Sequence, residues 1–140
     1  MTGIESITSP ANPRIKRAAA LRDADDRRAT GLTLVDGRRE LARAAAAGVE
    51  IVEAFVGARS LADPATDEFG TTLAEWLATL SARGTQVAGV SDRAFERVAF
   101  GGRDEGVVGV VRFGPTPLAA ANLAADRAIF VIEGVEKPGN

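Results

Sequence analysis

Leu32-Thr33-Leu34-Val35-Asp36-Gly37-Arg38-Arg39-Glu40-Leu41-Ala42-Arg43-Ala44-Ala45-Ala46-Ala47-Gly48 is the stretch that decides the fold. Residues 32–35 are a short apolar run with β-branched members, which reads as a strand. Asp36-Gly37 turns the chain. From Arg38 to Ala47 the apolar positions Leu41, Ala44 and Ala45 recur at helical spacing, and Gly48 is a suitable C-terminal stop. A strand turning directly into a helix is the unit from which α/β domains are built.

The same alternation extends outward in both directions. Upstream, Asn12 can cap a helix and Pro13 sits at its first position, where a missing N–H costs nothing. Ile15, Ala18 and Ala19 carry that helix to about Arg22, and the polar residues 23–30 read as a helix end or loop. Downstream, Ile51 to Val56 reads as a strand and 57–69 as a loop. Thr71 to Ala82 reads as a helix with the stripe Leu73, Trp76, Leu77 and Leu80. Gln86 to Val90 is a further strand, and Ser91 caps a short helix bearing Phe95 and Val98. Phe100 to Gly106 is a glycine-rich charged loop. The valine run from Val107 to Phe113 reads as a strand buried on both faces. Pro115 and Pro117 mark a linker, followed by a short helix over 118–125. Ala128 to Ile132 is the most apolar strand candidate. A strand of that kind is normally covered by a following helix, and here only Glu133 to Asn140 follow it. The chain therefore reads as a domain over 1–113, a linker over 114–127, and the cut-off start of a second domain over 128–140.

Composition removes several kinds of chemistry. The 140 residues contain no cysteine, so disulfides and thiolate metal sites are excluded. They contain no histidine, so a Ser-His-Asp triad is excluded and a zinc site is improbable. No metal is expected. No apolar run reaches the roughly 20 residues of a membrane span, and residues 1–10 do not resemble a secretion signal. A cytoplasmic location without a membrane partner is the simplest expectation. Net charge is −2, but it is unevenly spread. Residues 1–45 hold nine basic and six acidic side chains, a balance of +3, which leaves −5 for the rest. Arginine dominates the basic set, and its planar fork suits phosphate oxygens.

Three segments, in order, carry a resemblance. The first is Ile7-Thr8-Ser9-Pro10-Ala11-Asn12-Pro13-Arg14-Ile15-Lys16 with Leu21. The second is Leu34 to Leu41 with Ala44 and Gly48. The third is Val90-Ser91, Phe95 and Gly106 to Val111, ending in Pro138-Gly139-Asn140. This set resembles the SpoU (TrmH-like) family of RNA ribose methyltransferases over residues 4–140. That family more often has Glu at the position of Asp36 and Gln at that of Glu105.

The resemblance implies an N-terminal substrate-binding domain akin to kink-turn-binding ribosomal proteins. Its architecture would be a three-layer α/β/α sandwich with a mixed sheet of about four strands. It implies a linker and then a knotted catalytic domain that takes S-adenosylmethionine. The parent enzyme would methylate a ribose 2′-hydroxyl, and this chain alone would neither bind the cofactor nor catalyse. Asn140 matches the start of the first catalytic motif, whose arginine lies beyond the chain. RNA is the expected partner, with ribosomal RNA ahead of transfer RNA. The parent is expected to dimerise through its catalytic domain, which leaves this chain a monomer. Two other readings remain at this point: a stand-alone kink-turn-type RNA-binding protein with no enzymatic parent, and a protein-interaction domain.

Three places are candidates for RNA contact. The helix start at Asn12, with Arg14, Lys16 and Arg17, combines free N–H groups with mobile positive charge. Basic residues there oppose the helix dipole, so something else must favour them. The same holds for Arg38 and Arg39 after Gly37. The third is Arg103 in the Gly101–Gly106 loop, where glycines permit close backbone approach. Trp76 and Phe95 fall on apolar helix faces and read as core. Glu133 and Glu136 lack the partners of a catalytic pair.

Overall fold

The computed structural model describes residues 4–67, 70–100, 106–114, 117–120, 126, 128–131 and 133. Five strands, β1 (Glu5–Ile7), β2 (Leu32–Asp36), β3 (Ile51–Gly57), β4 (Gln86–Val90) and β5 (Val107–Arg112), form one mixed sheet in the order β1-β4-β3-β5-β2. β1, β4 and β3 pair in parallel, whereas β5 runs antiparallel to both β3 and β2. Four strands therefore point one way and β5 the other.

Six α-helices accompany the sheet among the described residues: α1 (Pro13–Ala20), α2 (Ala24–Thr30), α3 (Arg38–Ala46), α4 (Ala58–Leu61), α5 (Leu73–Ala82) and α6 (Asp92–Val98). Two apolar cores separate them into layers. On one face Ile15, Ala18 and Leu21 join Ala94, Phe95 and Val98 of α6 over Phe55, Val90 and Val108. On the other face Leu41 of α3 and Leu73, Leu77 and Leu80 of α5 cover Ala54, Val56, Val107 and Val111. The expected α/β/α sandwich is what forms. β5 contributes buried residues to both cores, as its valine-rich run required. Gly109 lies in that run. A Cβ there would collide with the side-chain methyls of Leu41, so its bare backbone admits α3 against the sheet.

Two elements depart from the sequence reading, which gave about four strands. The fifth is β1, a three-residue edge strand in which only Ile7 is buried. It is too short to show an alternation. The segment 23–30 contains a second helix, although no residue of α2 is buried. Its ends hold it. The Asp23 side chain accepts from the Asp25 N–H at 2.8 Å, and Gly31 closes it at φ 67°.

The C-terminal stretch differs most. Leu118–Ala120 is a single 3-10 turn, and the rest of the expected 118–125 helix lies outside the described residues. Residues 128–131 form no strand. Ile129, Phe130 and Val131 are 60%, 86% and 89% exposed. Apolar sequence alone does not make a strand, because the backbone groups need a neighbour to bond, and no strand of the five-stranded sheet pairs with this segment. Among the described residues no helix is long and apolar enough to cross a membrane.

Candidate nucleic-acid interface

The carboxyl ends of β1, β2, β3 and β4 and the amino end of β5 share one rim of the sheet. Backbone bonds knit that rim together. The Gly37 N–H donates to the Val107 carbonyl at 2.9 Å, and the Gly57 N–H donates to the Gly106 carbonyl at 3.0 Å. The Phe100 N–H donates to Asp36 Oδ2 at 2.8 Å, tying the end of α6 to the turn after β2. Gly37 has φ 103°, a conformation that side-chain-bearing residues rarely adopt. It forces the immediate reversal that sets Arg38 and Arg39 at the first positions of α3.

Those two arginines have different surroundings. Arg38 is drawn inward. Its Nη2 donates to Asp67 Oδ2 at 2.6 Å, to the Thr71 carbonyl at 2.8 Å and to the Thr72 carbonyl at 3.3 Å. Its guanidinium also lies over the Trp76 ring, 5.9 Å from the centroid. Arg39 points out, with 75% of its side chain exposed, and it bonds its neighbour Glu40 at 2.9 Å and 3.0 Å. That bond holds the Glu40 carboxyl below its ordinary range. An exposed pair of this kind contributes little to stability and can re-form with another anion.

The helix at Asn12 divides in the same way. The Asn12 side chain caps α1 by accepting from the Arg14 N–H at 2.8 Å. Arg14 is only 16% exposed; it bonds the carboxylates of Glu5 and Glu53 and sits over Phe55. This ion-pair cluster joins α1 to β1 and β3. Lys16 and Arg17 are exposed, and neither forms an ion pair among the described residues. Arg17 borders a cleft of about 360 Å³ with Leu21, Leu32, Val52 and Gln86. Leu32 and Gln86 open their strands, so the cleft lies at the opposite rim from Gly37.

The structure distributes the basic candidates between two ends of the sheet. Asn12, Arg14 and Arg38 are engaged inside the fold. Arg17 is exposed at one end, Arg39, paired with Glu40, at the other, and Lys16 is exposed on α1. Arg103 and Asn140 lie outside the described residues. Sequence reasoning missed Arg22 and Phe100. The Arg22 guanidinium lies 5.7 Å from the centroid of the Phe100 ring and donates to the Ala99 carbonyl. The signal available was an aromatic residue directly before a Gly-Gly pair.

These features define a three-layer α/β domain with exposed cations at both rims of its sheet. Residues 12–109 match the family model described as the MRM3-like substrate binding domain, and the chain belongs to that family. Among solved structures, the chain is similar to an RNA 2′-O ribose methyltransferase at 28% identity and TM-score 0.66. That alignment covers 96% of this chain and 47% of the other. The fold is shared with an AdoMet-bound rRNA methyltransferase from Sinorhizobium meliloti (22% identity, TM-score 0.64, 81% of this chain and 38% of that one). It is also shared with the SpoU methyltransferase AviRb from Streptomyces viridochromogenes, solved with AdoMet (19% identity, TM-score 0.60, 77% of this chain and 38% of that one). The chain thus spans less than half the length of these solved relatives. No curated protein matches it.

Proposed function

We propose that this chain recognises the RNA substrate of an S-adenosylmethionine-dependent ribose 2′-O-methyltransferase, and that the substrate is ribosomal RNA. The observation that carries this reading is the family match over residues 12–109, a stretch that holds Lys16, Arg17 and Arg39. These three exposed cations contact phosphates. A folded RNA presents phosphates and shape before it presents base edges, and arginine suits phosphate geometry. Arg103, between Phe100 and Gly106 in sequence, adds a fourth contact. The reading includes a cytoplasmic location and a parent that dimerises outside this chain.

The cofactor belongs to the parent's catalytic part, to which Asn140 is assigned. Here the substrate-binding match spans β2 to β4 and all six helices among the described residues, together with the first half of β5. S-adenosylmethionine supplies the methyl group when bound in the parent. This chain's own part is to bind RNA and orient it.

The test is a titration of the chain with purified ribosomal RNA at two salt concentrations. Binding must weaken steeply as salt rises, because each phosphate contact releases counterions. Arg17→Ala and Arg39→Ala should each weaken binding and each reduce the slope of log K against log salt by about one. The two sites lie at opposite rims, so their effects should add in the double variant. Folded protein that binds no RNA at low salt would overturn the reading.

A further inference from the structure

We infer that Phe100 is a stacking platform for an unpaired RNA base, a role that rests on the RNA-binding reading above. Phe100 differs from every other aromatic among the described residues. Phe55 and Phe95 are buried in the core, and Trp76 is half-buried beneath Arg38. Phe113 and Phe130 are exposed but have no cation over the ring among the described residues. Phe100 is 43% exposed and has Arg22 against it.

Phe100 is held at its backbone and at its ring. The Phe100 backbone N–H donates to the Asp36 carboxylate at 2.8 Å, so the backbone beneath the ring is anchored to the Gly37 turn. The Arg22 guanidinium lies 5.7 Å from the ring centroid, and its bond to the Ala99 carbonyl fixes it there. An exposed phenyl ring in water is a cost that folding would ordinarily remove, because burying such a side chain is favourable. Here a carboxylate anchors the backbone of Phe100 and a guanidinium lies against its ring at the surface.

The occupant follows from shape and charge. A ring with a cation on its face and a surface open to solvent suits a flat, electron-rich partner. Unpaired RNA bases are read in this way, splayed out and stacked on aromatic rings or guanidinium planes. Arg39 stands on the same rim, two residues after the Gly37 turn, to take a neighbouring phosphate. Stacking tolerates many bases, since each has a π-face, so the platform contributes affinity and register without reading one base identity.

The test compares Phe100→Ala, Phe100→Leu and Phe100→Trp in the 140-residue chain titrated with purified 16S and 23S ribosomal RNA. Loss of one stacked base should weaken binding by about 5-fold to 150-fold. Ala and Leu should both show that loss with the salt slope unchanged, because no phosphate contact is removed. Trp should restore affinity. Its added indole should be quenched along the same titration curve, against the background of Trp76 in the parent chain. Melting curves confirm that each variant is folded. If Phe100→Leu binds as tightly as the parent chain while Arg39→Ala still weakens binding, the platform is wrong and the RNA reading stands. If the parent chain binds no RNA, both fall.

Discussion

Arg38 and Arg39 occupy successive positions after Gly37, and the sequence gives both the same unfavourable place at a helix start. The structure supplies a reason for each. The Arg38 charge is offset by Asp67 and two carbonyls of the segment leading into α5, so it anchors one helix start to another. Nothing in the local pattern reveals this, because Asp67 lies 29 residues away. Removing Arg38 takes a charged donor from the Asp67 carboxylate, which keeps the Thr71 N–H, and from two carbonyls that keep the Asp67 and Trp76 N–H groups. Arg38→Ala should lower stability by about 1–3 kcal/mol, the scale for hydrogen bonds to charged groups. Arg39→Ala removes an exposed pair and should leave the melting temperature within experimental error. Thermal melts of the two variants check this. Equal melting temperatures would show that the Asp67 anchor contributes nothing. Arg14 follows the same logic as Arg38: a cation that looked available in sequence is enclosed by Glu5 and Glu53.

Helices were legible where their stripes or caps are written locally. Leu41, Ala44 and Ala45 in α3, and the stripe of α5, gave those elements directly. α2 escaped because its polar residues show no periodicity and it rests on an end cap and a glycine. α5 carries the fullest cap in the molecule as described. Thr72 Oγ1 accepts from the Glu75 N–H at 3.2 Å, while Glu75 Oε2 accepts from the Thr72 N–H and hydroxyl, each at 2.8 Å. The Thr72 N–H and hydroxyl hold the Glu75 carboxyl below its ordinary value of 4.5. A carboxyl lowered by folding stabilises the fold above its unfolded value, and the contribution disappears as pH falls through the folded one. Glu75→Gln should therefore melt lower than the parent chain at neutral pH, and the gap should narrow as pH drops below 4.5. A gap that does not change with pH would mean that the amide loses only shape or packing.

At the scale of the whole molecule, the reversed direction of β5 brings the Gly106 end to the rim where four other strands finish. That rim collects Gly37, Arg39 and Phe100, while Arg17 remains at the far end. Sequence order could place strands and helices along the chain, but it could not order the sheet. The order depends on which strand each apolar run pairs with, and β1-β4-β3-β5-β2 is not sequential. For this reason the α/β/α class was readable and the grouping of the basic residues was not. The apolar stretch at 128–131 makes the same point from the other side, since its composition promised a strand and no partner strand lies beside it.

The empty side-chain position at Gly109 has a consequence for how this sheet can vary. Its missing Cβ and the methyls of Leu41 occupy one shared volume, so neither residue can change size alone. Gly109→Ala should overfill that volume at a cost of about 1–3 kcal/mol. Leu41→Ala should leave a cavity and cost about 2–5 kcal/mol. Made together, the two changes should cost clearly less than their sum, because each corrects the other's fault. Denaturant titrations of the four proteins in this cycle measure the difference, and simple additivity would show that the two positions are independent. If they are coupled, one position on β5 and one on α3 form a single inherited unit, and drift at either is tolerated only when the other has moved first.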